Sequence, residues 1–67
     1  APNEIVAYNK YFEYVQKIRK FKDASSAKKF VRSMKNKYIK ENTRIARAAY
    51  KGARDGLNGR LKDKSKS

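Results

Sequence analysis

Apolar residues recur along this chain at intervals of three and four, in three separate stretches. That spacing limits its architecture more than any other feature. Residues at i, i+3, i+4 and i+7 share one side of a helix, whereas a half-buried strand needs alternation. The second stretch shows the pattern cleanly: Ala27, Phe30, Val31, Met34 and Tyr38 form one stripe, and Lys28, Lys29, Arg32, Lys35, Lys37 and Lys40 ring the rest. No segment alternates over the length of a strand. The expected fold is all-α, a small three-helix bundle with helices near residues 3–22, 25–40 and 43–57.

Pro2 and Glu4 mark the first helix start, since Pro suits a first turn and an acid there meets the positive end of the dipole. The apolar set of this helix is broad: Ile5, Tyr8, Tyr11, Phe12, Tyr14, Val15, Ile18 and Phe21 cover about half the circumference. An internal contact with both other helices is the favoured use of so wide a stripe, and a homodimer through the same face is the other. Asp23 or Ser25 is suited to cap the second helix, and Asn42 or Thr43 the third. Neither Gly nor Pro stands at the second boundary, so one bent helix competes there with two.

The third stretch, Thr43–Gly56, has two opposed faces. Arg44, Arg47, Lys51 and Arg54 share one sector at 100° per residue, a cationic ridge about 15 Å long. Ile45, Ala46, Ala49, Tyr50, Ala53 and Leu57 lie opposite. Beyond Gly56 the phase breaks, with Leu61 on the basic side and Arg60 on the apolar side. An interior Gly costs about 1 kcal/mol, so Gly56 and Gly59 predict a helix end between Gly56 and Leu61. Residues 62–67 then form a short disordered basic tail, and residues 1–61 a single helical domain. Gly52 and Gly56 beside Ala49 and Ala53 would let a neighbouring helix come close.

The charge is as informative as the pattern. The sequence holds 19 Lys and Arg against six acids, a net +13 in 67 residues, and no acid lies between Asp23 and Glu41. Such a face needs an anion from outside, and its self-repulsion opposes folding until one arrives. With neither His nor Cys present, imidazole catalysis, thiol chemistry and thiolate metal sites are unavailable. The acids are scattered, and Ser25, Ser26 and Thr43 read as caps, so an enzyme, a metal site or a cofactor is not expected. No apolar run approaches the ~18 residues of a membrane span, which argues against integral membrane association. The first residues lack a signal peptide's charged and apolar regions, as those of a mature exported chain would.

These features point to a small basic nucleic-acid-binding protein, with DNA favoured over RNA and phosphate contacts made by the third and second helices. The candidate contact residues are Arg44, Arg47, Lys51, Arg54 and Asn58, with Lys28, Arg32 and Lys35 from the second helix. A third helix lying in the major groove would make the bundle helix-turn-helix-like, although the second helix is long for that motif and its turn lacks Gly. The aromatic residues are read as core and not as stacking platforms. The competing readings are an inhibitor or adaptor docking on an acidic protein surface, and a secreted cationic membrane-active peptide of the bacteriocin kind. Nucleic-acid binding favours a cytoplasmic or nucleoid-associated location over a secreted peptide.

Overall fold

The computed structural model describes the backbone of residues 2–66 and the side chains of residues 3–62. It is an all-α three-helix bundle: α1 spans Pro2–Arg19, α2 Ala24–Glu41 and α3 Arg44–Lys66. Helix α3 is the spine. Its 23 residues reach about 35 Å at 1.5 Å per residue, most of the molecule's 40 Å long dimension.

The α1–α3 pair is parallel and very close. Tyr11 lies against Gly52, and Val15 and Ile18 lie against Gly56, so both contacts advance in the same direction along the two helices. A side chain at either glycine would collide: a Cβ at Gly56 would sit 2.9 Å from the Val15 carbonyl oxygen, and one at Gly52 2.9 Å from the Tyr11 carbonyl carbon. The Tyr11 hydroxyl donates to Asp55 Oδ2 at 2.6 Å across the same seam. That donation, first among its causes, holds the phenol above its ordinary pKa.

Helix α2 runs back along α3. Contacts progress from Asn42 with Arg47, through Tyr38 on Tyr50, to the cluster of Ala27 and Val31 with Ala53 and Ile18. The expected helix-turn-helix likeness gives way to an antiparallel hairpin, because contact is kept along both helices where that motif crosses steeply. A thin core of Ile18, Ala27, Val31, Met34, Ala46, Ala49 and Ala53 fills the centre. Tyr14, Phe21, Phe30, Tyr50 and Leu57 pack around its main cluster. Rings join α1 and the connection after it to α2, Phe30 lying 6.1 Å from Tyr14 and 5.1 Å from Phe21.

The connections are short and capped. Asp23 is the N-cap of α2, its carboxylate accepting from Ser26 N at 2.7 Å. Between α2 and α3 the helix is interrupted at Asn42 and Thr43, so the bent-helix alternative is excluded. Asn42 takes a left-handed conformation, φ 47°, and donates its N–H to the Tyr38 carbonyl at 2.7 Å. Asn tolerates that region better than most side chains. Thr43 then caps α3, its hydroxyl accepting from Ala46 N at 3.1 Å.

Three expectations need correction. Helix α1 stops at Arg19 and not Lys22, because Phe21 must swing inward to reach Phe30 before Asp23 starts α2. Helix α3 does not end between Gly56 and Leu61, and its backbone is helical through Lys66 where a disordered tail is expected; Ser67 lies outside the described residues. No described glycine has a positive φ, and Gly56 is a contact point instead of a terminator. Finally, the broad α1 stripe is only partly internal: Tyr11, Tyr14, Val15, Ile18 and Phe21 turn inward, but Ile5, Tyr8 and Phe12 are exposed.

Candidate nucleic-acid interface

Every residue of the expected ridge lies at the surface. Arg44, Arg47, Lys51, Arg54 and Asn58 on α3 are exposed, as are Lys28, Arg32 and Lys35 on α2. The opposite face of α3 is largely internal, with Ala46, Ala49 and Ala53 buried and Tyr50 and Leu57 half-buried; Ile45 is exposed at 41 %.

The two cationic faces fall on the same side of the bundle. On α2, Phe30 marks the direction of α1 and Tyr38 that of α3. Lys35 lies about 60° beyond Tyr38, with Lys28 and Arg32 further round, all turned away from α1. On α3, Gly52 and Gly56 mark the direction of α1 and Tyr50 that of α2. Arg54, Arg47 and Lys51 follow within about 100° beyond Tyr50. The hairpin geometry therefore gathers charges from α2 and α3 onto the face opposite α1.

An open groove of about 320 Å³ lies beside the α3 cations, lined by Tyr38, Tyr50, Arg47, Lys51 and Arg54. The rings of Tyr38 and Tyr50 stack at 5.5 Å with an interplanar angle of 7°. The Arg54 guanidinium sits 5.8 Å from the Tyr50 centroid. Two restraints hold the ridge: Arg47 Nη2 donates to Asn42 Oδ1 at 3.3 Å, and Arg54 Nε lies 3.7 Å from Asp55 Oδ1. Both are at the surface and worth little to stability, so each arginine is available to a stronger acceptor.

Helical spacing alone does not show the tyrosines as part of this face. It puts Tyr50 with the core stripe, but 50 lies only 40° from 54 around the helix. That position is the border where a half-buried ring meets the ridge. Spacing also hides the role of Arg60, whose phase points inward: Arg60 Nη1 donates to the Ile18 carbonyl at 2.9 Å, satisfying an acceptor in the last turn of α1.

The fold and this face define a class, a small three-helix bundle with one strongly cationic side. Comparison with protein-family models, with curated proteins and with solved structures finds no match to the chain. Among the described residues, no helix is long and apolar enough to cross a membrane.

Proposed function

We propose that this protein binds nucleic acid, duplex DNA in preference to RNA, through phosphate contacts from the α2/α3 face. The observation that carries this reading is the convergence of Arg44, Arg47, Lys51 and Arg54 with Lys28, Arg32 and Lys35 on one side of the α2/α3 hairpin. Arginine forks suit phosphate oxygens, and exposed charges on two helices can follow a duplex backbone. The same reading favours a cytoplasmic or nucleoid-associated location.

A salt-titrated binding assay on a short duplex tests it. Each phosphate contact contributes a log–log slope of about −0.9, so four ridge contacts contribute roughly −3.6. Arg47→Ala and Lys51→Ala each weaken binding and flatten the slope by about one, equally on all sequences. Lys20→Ala, in the connection after α1, serves as the control and leaves the slope unchanged. Wild-type affinity in both ridge variants overturns the proposal, as does binding of anionic vesicles or acidic protein in place of DNA.

The second part of the proposal is self-association through α1. Ile5, Tyr8 and Phe12 are 62 %, 63 % and 43 % exposed and share one side of the helix, with the Tyr8 and Phe12 rings 4.8 Å apart. An apolar stripe of this kind on a small domain marks an interaction surface. A second copy is the partner we propose: Lys10 and Lys17 fall on the far side of α1, about 150–170° away, and Arg19, the α1 cation that shares the stripe's sector, stands about two turns beyond Phe12 with its guanidinium near Gly59 of α3. Two chains of +13 meet most easily through the stripe of Ile5, Tyr8 and Phe12, where no lysine of α1 stands, and the α2/α3 faces stay uncovered.

A further inference from the structure

The ridge accounts for the charges but not for the paired tyrosines between them. Tyr38 and Tyr50 come from different helices, are only half-buried, and leave ring surface open to the groove. Every other residue lining that groove is a cation. Tyr50 also packs against the core cluster, but on the groove side the neighbours of both rings are cations. Here the Arg54 guanidinium lies over the Tyr50 ring, a flat cation set on an aromatic surface.

We propose that this groove seats an unpaired base of the bound nucleic acid, so that the protein prefers DNA with a single-stranded segment over a fully paired duplex. The inference rests on the nucleic-acid reading above and names the form of substrate that the face takes. A base inside a duplex has both π faces covered by its neighbours and cannot reach an aromatic floor; an unpaired base can. Once there, it stacks on the open ring surface of Tyr38 or Tyr50. Arg47 and Lys51 stand at the groove wall for the phosphates on either side. Stacking on an aromatic side chain tolerates any base, so the preference is for strand form and not for sequence.

The test compares three probes with the whole chain at constant salt: a blunt duplex, the same duplex with a short 3′ overhang, and a single-stranded oligothymidine. One stacked base makes the overhang probe bind about fivefold or more tighter than the blunt one. Tyr38→Leu and Tyr50→Leu keep apolar volume at the groove floor, remove that gain and leave blunt-duplex affinity nearly unchanged. If either variant is unstable, the overhang-to-blunt ratio of the wild type alone decides the matter. That ratio holds between about 50 and 200 mM salt, because stacking releases few counterions. Equal affinity for overhang and blunt probes, or a ratio that collapses with salt, overturns the inference and leaves the nucleic-acid reading standing. No binding to any of the three probes overturns both.

Discussion

Gly52 and Gly59 are the same residue in the same helix, yet their surroundings give them opposite roles. A Cβ at Gly52 would drive into the Tyr11 backbone, which cannot yield without moving α1. A Cβ at Gly59 would meet nothing closer than the Arg19 guanidinium at 4.0 Å, the end of a flexible side chain. Gly52→Ala is therefore expected to destabilise by about 1–3 kcal/mol or more, as overpacking does. Gly59→Ala is expected to stabilise by up to about 1 kcal/mol, through helix propensity. Thermal melts of the two variants check this: the first falls, the second rises by about 4–8 °C per kcal/mol in a domain of this size. From the sequence, Gly52 and Gly56 are legible as places of close approach, and they are. Gly59 reads as a terminator because propensity is the only local signal. The contacts that carry α3 past it, Arg60 on Ile18 above all, are too distant in the chain to see.

At the scale of elements, the helices and their core faces are legible, and their ends are less so. The α2 stripe of Ala27, Val31 and Met34 is buried as its spacing requires. The end of α1 is set by Phe21 reaching Phe30, a tertiary contact with no local marker. Caps are legible as pairs of candidates, and the structure chooses Asp23 over Ser25 and Thr43 over Asn42. The choice of Asp23 makes stability depend on pH. The Ser26 backbone N–H, followed by its hydroxyl, holds the Asp23 carboxyl below its ordinary pKa. A carboxylate with a depressed folded pKa contributes fully above its unfolded value, and the contribution is lost as pH falls through the folded value. Asp23→Asn, which keeps a neutral cap, is expected to lose less of its melting temperature on acidification than wild type does. Equal acid sensitivity in the two proteins would place the loss elsewhere. Of the candidate face, the exposed ridge follows from phase within α3, but its union with the α2 cations and Tyr38 depends on how the hairpin closes.

The whole molecule is dominated by its charge, and its response to salt follows from it. Added salt is expected to raise the melting temperature between low and physiological concentration, since screening shortens to about 8 Å at 0.15 M. A melting temperature indifferent to salt would mean that the repulsion is already relieved. Sedimentation of the wild type is expected to show a dimer that Phe12→Glu converts to a monomer with unchanged helicity, as the 43 % exposed ring has little part in the core. A monomeric wild type at high concentration removes the self-association proposal. The parallel seam between α1 and α3 has a consequence for how such a chain acquires structure at all. Tyr11 and Asp55 stand 44 positions apart, and Ile18 and Arg60 42. The closest packing thus joins segments made well apart in time, and loops that long close late. Until α3 exists, α1 has little beyond the rings of Tyr14, Phe21 and Phe30 and the contact of Ile18 with the Ala27/Val31 cluster to hold it near α2, too little to outweigh the entropy of ordering either helix. A nascent chain emerging from the ribosome would stay unfolded and open to proteases through these first two helices. It would then fold in one step when the third arrives, and a single cut between Asn42 and Thr43 would undo all three together.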